Sequence, residues 1–151
     1  MIIEQVKEIT IEFMQALAQL LPQLAPEVGM PDVAHVQRML AAEDCVLLAC
    51  RLEEGEPIVG MLTLIIFRTP TGTHAWIEDV VVDETARGHG LGEALTRAGL
   101  QRALDLGAKS VSLTSRPARA AANRLYLRMG FQRWDTNLYR YVFKGSEKFI
   151  L

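Results

Sequence analysis

The chain has 151 residues, 50% of them apolar, and its 16 basic and 18 acidic side chains leave a net charge of −2. This length favours a single domain over residues 1–151, because typical domains hold about 100–150 residues. No apolar run reaches the roughly 18 residues of a membrane helix, and the start MIIEQVKEITIEF lacks the basic region of a signal peptide. The isoelectric point of about 5.9 disfavours nucleic acid as a partner. These features predict a cytoplasmic protein that binds neither membranes nor nucleic acids.

Charge is distributed unevenly along the chain. Residues 1–83 carry 4 basic and 13 acidic side chains, a net charge of −9, whereas residues 84–140 carry 10 basic and 4 acidic ones, a net charge of +6. Two separately solvated surfaces would account for this split. It is also compatible with an anionic ligand bound by the second part and a cationic one bound by the first.

The N-terminal part of the chain predicts a strand, two helices and then three strands. The second of those three strands is apolar on both faces, which predicts a central position in the sheet. Cys45 and Cys50, the only cysteines, point to opposite faces of a strand, which favours two small buried hydrophobes over a disulfide or a metal site. The predicted bounds are 2–10 for the first strand, 13–24 and 33–40 for the helices, and 45–54, 57–67 and 74–84 for the later strands.

The C-terminal part alternates helices with short strands. Gly107 is expected to end a helix that starts at residue 91. Pro117 is expected in the first turn of the next helix and Gly130 at its C-terminal cap. The resulting order, β-α-α-β-β-β-α-β-α-β-β, predicts an α+β or mixed α/β fold. The strands of this part are predicted at 109–115, 131–134 and 138–143.

The stretch RGHGLG, at 87–92, joins a predicted strand to a predicted helix and contains three glycines. Glycines let a phosphate group approach the backbone, and the N–H groups at a helix start attract anions. A tight turn that needs positive φ angles is the structural alternative. The spacing excludes a dinucleotide-binding G-x-G-x-x-G loop, because Glu93 holds the last position, and the chain has no G-x-x-x-x-G-K-S/T loop.

Two motifs carry a resemblance to a known family. Arg87, Gly90 and Gly92 form R-x-x-G-x-G at the strand–helix junction, and AANRLYLRMGF follows at 121–131. In this order and context the chain resembles the GNAT superfamily of N-acetyltransferases, whose acetyl-CoA signature is R/Q-x-x-G-x-G/A. The resemblance implies a mostly antiparallel sheet of six to seven strands, splayed at the cofactor site, with about four helices on both faces.

The resemblance also implies an acyltransferase that moves acetyl from acetyl-CoA to a primary amine by direct attack, without an acyl-enzyme and without a metal. Backbone N–H groups from Gly88 to Glu93 would cradle the pyrophosphate of coenzyme A, and the strand 76–82 would pair with the pantetheine arm. The implied cofactor-binding residues are Val80, Val81, Val82, Arg87, Gly88, His89, Gly90, Leu91, Gly92, Glu93, Asn123 and Tyr126.

Catalytic roles follow from the same resemblance. The backbone N–H of Val80 or Val82 would polarise the thioester carbonyl. Tyr126 would protonate the departing thiolate, although a packed aromatic ring is the alternative. Asn123, one helical turn earlier, would bond the pantetheine or orient Tyr126, unless it is a helix-surface amide.

Glu78 is the candidate carboxylate at the reacting centre. On a regular strand it shares a face with Val80 and Val82, whereas Asp79 points to the other face. A carboxylate there would either take a proton from the substrate ammonium through water or bind that ammonium directly. The sequence leaves both roles open.

The acceptor and the assembly remain open at this point. The stretch 76–92 also resembles glucosamine-phosphate N-acetyltransferases, but this likeness fades after the glycine loop. The acceptor is expected to be a small-molecule amine or a protein amine, and a homodimer is compatible with the resemblance. Two rival classes are a non-catalytic acyl-CoA sensor and a magnesium-dependent nucleotide binder of another fold.

Overall fold

The computed structural model describes residues 1–143. Within them it contains five strands, four α-helices and one 3-10 turn. The elements are β1 Ile2–Val6, α1 Ile11–Leu24, α2 Val33–Ala41, β2 Cys45–Arg51, β3 Gly60–Thr69, β4 Gly72–Val82, the 3-10 turn Glu84–Ala86, α3 Leu91–Asp105, β5 Val111–Leu113 and α4 Ala120–Arg128.

The five strands form one sheet in the order β1-β2-β3-β4-β5. The first three pairings are antiparallel, and β4 pairs with β5 in parallel. The prediction of a mostly antiparallel, mixed α/β sheet is therefore confirmed. The apolar strand β3 is central, as its two-sided apolar pattern predicted.

Helices cover both faces of the sheet, because apolar side chains of the strands project from both faces. One face, here called the α1 face, packs residues such as Leu47 and Met61 against α1 and α2. The opposite face, here called the α3 face, packs Leu48 and Leu62 against α3. The prediction of helices on both faces is confirmed.

Short polar caps set the starts of the first two helices. The Thr10 hydroxyl accepts a hydrogen bond from the Phe13 amide at 3.0 Å, and the Asp32 carboxylate accepts one from the His35 amide at 2.8 Å. Each cap satisfies one of the backbone donors that a helix start leaves unpaired. α3 has no such side-chain cap.

The two C-terminal strands predicted at 131–134 and 138–143 are wrong. Both segments lie within the described residues and neither pairs with a strand, so the sheet has five strands rather than six or seven. The edge strand β5 pairs with β4 over only three residues, so a further strand would have only a short edge with which to pair. Side chains there are mostly exposed, including Trp134 at 80%.

Several element ends also differ from the prediction. β1 ends at Val6 and not at residue 10, and Pro117 lies three residues ahead of α4 rather than in its first turn. Cys50 is buried and Cys45 is half-buried, and both are free thiols. Burial raises the pKa of the Cys50 thiol to about 11. Among the described residues no helix is both long and apolar enough to cross a bilayer.

Candidate functional site

The sheet opens between β4 and β5. The ladder between these strands ends at the pair Ile77 and Leu113, whereas β4 runs on to Val82 with β3 as its strand partner. A cleft of about 930 Å³ lies along this unpaired half of β4 and extends to the 87–92 loop and α4. The predicted splay is therefore present.

A β-bulge lies at the start of the unpaired half. Thr63 of β3 pairs with Glu78, but Met61, two residues away, pairs with Val81 three residues on. The extra residue is accommodated at Asp79, which has a left-handed φ of 53°. A bulge of this kind turns the following residues to the opposite face.

The bulge corrects the predicted orientation of Glu78. Before it, Ile77 belongs to the core of the α3 face; after it, Val80 and Val82 pack there and Val81 belongs to the α1 face. Since Glu78 alternates with Ile77, it lies on the α1 face. Glu78 therefore does not share a face with Val80 and Val82.

The backbone of the unpaired half presents two amides to the cleft. The Asp83 amide donates to the Val59 carbonyl at 2.8 Å, which aims the peptides of Asp83 and Val81 towards β3. Since successive peptides of a strand point in opposite directions, those of Val80 and Val82 point towards the cleft. These are the two residues predicted to polarise the thioester carbonyl, a role that stays a prediction.

The glycine loop needs glycine for its backbone conformation. Gly88 and Gly90 have φ angles of 86° and 77°, values that side-chain-bearing residues seldom adopt. Gly90 is the N-terminal cap residue of α3 and offers no side-chain cap. The amides of the first turn of α3 are thus left for an external acceptor, the arrangement found in anion-binding helix starts.

Positive charge surrounds the cleft. Arg87 is fixed beside the loop, because its Nε donates to the Val82 carbonyl at 3.2 Å. His89 turns away: its Nδ1 lies 3.2 Å from the Ala86 carbonyl oxygen, and His89 is not among the cleft residues. Six arginines line the cleft, against the three carboxylates Glu78, Asp79 and Glu93; they are Arg87, Arg116, Arg119, Arg124, Arg128 and Arg140.

Tyr126 lines the cleft and is held by the Gly130-Phe131 pair that follows α4. Gly130 has a φ of 96°, which lets the Phe131 amide donate to the Tyr126 carbonyl at 3.0 Å. This is a Schellman cap. The Phe131 ring then packs edge-on against Tyr126, with ring centres 5.6 Å apart. Burial raises the pKa of the Tyr126 phenol, although Arg119 opposes that shift.

Asn123 holds the loop that precedes α4. Its side-chain amide donates to the Arg116 carbonyl at 2.9 Å, and Asn123 is not among the cleft residues. A contact from Asn123 to the cofactor stays a prediction. In the structure its hydrogen bond positions the segment that carries Arg116 and Arg119 along the cleft.

A buried carboxylate that the sequence analysis missed ties α1 to the glycine loop. Asp83 is only 1% exposed and accepts from Nε2 of Gln19 at 2.6 Å and Nε2 of Gln23 at 2.9 Å. Hydrogen bonds from the Thr85 hydroxyl, followed by Gln23, hold the pKa of Asp83 well below its usual range. The signal in the sequence was the row of glutamines four residues apart on α1.

A second, smaller cavity of about 330 Å³ adjoins the cleft. It shares three residues with the cleft, namely Glu78, Thr114 and Arg140. Its remaining lining residues are Trp76, Leu138, Tyr139 and Tyr141. Glu78 therefore stands where two cavities meet.

Comparisons with known proteins agree with this geometry. The model of the Acetyltransferase (GNAT) family matches residues 11–131. A mycothiol acetyltransferase of Renibacterium salmoninarum is 32% identical over 121 residues, which cover 77% of this chain and 36% of that protein. The chain thus spans about a third of the length of this relative.

Solved structures of acetyltransferases share the fold. An aminoglycoside acetyltransferase from an uncultured soil metagenomic sample, in complex with sisomicin, superposes with a TM-score of 0.82 at 22% identity, over 95% of this chain and 96% of that one. Glucosamine-6-phosphate N-acetyltransferase from Arabidopsis thaliana gives a TM-score of 0.76 at 20% identity, over 93% and 99% of the two chains.

Proposed function

The chain belongs to the GNAT acetyltransferase family, and from that premise we propose that residues 1–151 form one acetyl-CoA-binding domain that acetylates a primary amine. One observation carries the proposal: the half-paired strand β4 lies beside the uncapped start of α3, in one positively charged cleft. An unpaired strand edge suits an amide-containing arm, and an uncapped helix start suits a pyrophosphate.

The residues present fit acetyl-CoA as a substrate. The amides of the first turn of α3, together with Gly88 and Arg87, would bind the pyrophosphate. The peptides of Val80 and Val82 would pair with the pantetheine arm, and one of their N–H groups would polarise the thioester carbonyl. Acetyl-CoA supplies the activated acyl group.

Proton transfer would use residues on two sides of the thioester. The amine forms a C–N bond to the acetyl carbon while the C–S bond breaks. Of the two protons that the ammonium loses, one reaches solvent by way of Glu78. The other restores the proton that the Tyr126 phenol gives to the departing thiolate.

Tyr126 suits this role because its environment keeps the phenol protonated. Burial raises its pKa, and the ring is fixed by Phe131. The conjugate thiol of the leaving group has an ordinary pKa of about 8.5, so transfer from the phenol is slightly uphill; it proceeds when the two groups are in contact and the substrate ammonium returns a proton to the phenol.

Calorimetric titration with acetyl-CoA, followed by thiol release across a panel of amines, tests the proposal. Arg87→Glu is expected to abolish the heat of binding, because it places a carboxylate beside the pyrophosphate site. Arg68→Glu makes the same charge change at an exposed position of β3 that lines neither cavity. This control should bind as the unaltered protein does.

Tyr126→Phe separates an enzyme from a sensor of acyl-CoA. An enzyme should lose roughly 10²-fold in kcat or more and keep its acetyl-CoA affinity. Binding without thiol release from any amine of the panel would leave the sensor and an enzyme that acetylates a protein amine. No binding of acetyl-CoA would refute the proposal and return the glycine loop to a structural turn.

A further inference from the structure

The smaller cavity lies on the α1 face of the opened sheet. Trp76 and Glu78 alternate with Ile77, and Thr114 alternates with Leu113, so all three lie on that face. The larger cleft runs through the opening, because its lining includes Val82 and Leu91 on the α3 side and Gln23 on the α1 side. Since the two cavities share Glu78, a molecule in the smaller cavity would meet the thioester there.

Glu78 and Arg140 both line the smaller cavity without neutralising each other. Among the described residues neither side chain takes part in an ion pair. A carboxylate and a guanidinium that share a cavity but remain unpaired present two opposite charges to whatever enters.

From this arrangement we infer that the acceptor is a zwitterion, a small primary amine that also carries a carboxylate or phosphate group. This inference rests on the proposed function and names the substrate class of that same site. The ammonium of the acceptor pairs with Glu78, and its anionic group pairs with Arg140. A plain amine would leave Arg140 unpaired beside a second positive charge.

The size and the walls of the cavity agree with a small acceptor. Its volume of about 330 Å³ lies at the lower end of small-molecule sites, which span about 300–1,000 Å³. Trp76 and Tyr139 supply aromatic surface against which the body of such a molecule packs. Protein lysines lack the adjacent anionic group and are not expected to be good acceptors.

Matched acceptor pairs test the inference by steady-state thiol release. Tyrosine against tyramine isolates a carboxylate, and glucosamine 6-phosphate against glucosamine isolates a phosphate. We expect at least one anionic member to exceed its partner about tenfold or more in kcat/KM, a size typical of one charge-assisted contact. Which pair responds identifies the anionic group.

Variants of Arg140 assign the effect to this side chain. Arg140→Gln should remove the preference within the responding pair and leave the KM for acetyl-CoA unchanged, and Arg140→Glu should favour the plain amine. Arg133→Gln is the matched control, because Arg133 lies in the same segment and lines neither cavity. It should keep the preference intact.

Three outcomes overturn the inference. Equal kcat/KM within both pairs means that no anionic group is recognised. A raised KM for acetyl-CoA in Arg140→Gln assigns Arg140 to the coenzyme instead. Failure of acetyl-CoA to bind the unaltered protein refutes the proposed function as well, and this distinguishes it from the first two outcomes, in which thiol is still released.

Discussion

The two halves of β4 differ in their hydrogen bonding although they belong to one strand. Its first half, through Ile77, is bonded on both sides, to β3 and to β5. Its second half, from Glu78 to Val82, keeps only the β3 ladder and faces a cleft. The first half secures the sheet, and the second half exposes backbone donors that a fully paired strand would consume.

This difference shows how a sheet leaves a short stretch of backbone donors free without becoming an open edge strand. Exposed strand edges invite pairing with other chains. Here the exposed length is short, it follows a bulge, and the loop and α4 flank it. The contribution of the closed half to stability and the proposed binding of acetyl-CoA by the open half should therefore be separable by mutation.

The largest expected effect is on stability, at the closed half. Ile77 is 2% exposed in the core of the α3 face, and Ile77→Ala should lower the free energy of unfolding by about 2–5 kcal/mol. Urea denaturation measures this. Val80→Ala, in the open half and only half-buried, should cost about 1 kcal/mol. Equal losses would contradict the proposed division of the strand.

A smaller loss of stability is expected where α1 is tied to the open half. Asp83→Asn replaces an acceptor with donors that face Gln19, Gln23 and Thr85, and it should cost about 1–3 kcal/mol. Acetyl-CoA binding should weaken as well, because Asp83 caps the 3-10 turn Glu84–Ala86 that leads into the glycine loop.

The stability lost in Asp83→Asn should also depend on pH. Because the folded pKa of Asp83 is depressed, its stabilisation is complete above the ordinary carboxyl pKa of about 3.9 and is lost as pH falls further. Melting temperatures measured from neutral to acidic pH should converge for the two proteins at the acid end. Glu84→Gln, at an exposed neighbour, should show no such convergence.

A change in the glycine loop should have a still smaller effect on stability. Gly90→Ala places a side chain at a φ of 77°, which costs about 1–2 kcal/mol, and it should also weaken acetyl-CoA binding by shifting the amides of α3. Gly29→Ala, where an added Cβ would meet nothing within 4 Å, is the control. Unchanged binding in Gly90→Ala would show that the loop conformation does not set affinity.

The smallest expected effect is a shift, towards higher pH, of the alkaline decrease in kcat. Because burial raises the pKa of Tyr126, the alkaline fall in kcat should lie above the ordinary phenol value of about 10. Tyr126→Phe should remove this limb from its residual rate. A limb that persists in the variant would assign the titration to another group.

Local signals explain what the sequence predicted correctly. The strand β3 is apolar on both faces, and this pattern predicted its central position in the sheet. Gly107 and Gly130 follow the ends of helices and have φ angles of 79° and 96°. The strand–loop–helix junction at 87–92 is likewise encoded within a few residues. Each of these features depends on neighbours in the chain.

Features that depend on distant residues escaped prediction. The bulge that turns Val80 and Val82 to the face opposite Glu78 arises from how β3 and β4 pair, not from the residues of β4 alone. Asp83 is bound by Gln19, which lies 64 residues earlier. The segment 138–143 has side chains with high β-propensity, but among the described residues it forms no hydrogen-bonded pair with another strand. High β-propensity in a segment does not provide the partner strand that it needs.

The bulge at Asp79 also bears on how this chain is aligned with others. A protein that lacks this one residue would have a shorter β4 without the bulge, and Val80 and Val82 would stay on the α3 face and Val81 on the α1 face, because Glu78 and Val80 would become neighbours. A protein that keeps the residue in a regular strand would instead carry the residues after it on the opposite faces. The gap in an alignment with a protein that lacks the residue therefore belongs at Asp79, because a gap placed after Val82 would assign these three valines to the wrong faces.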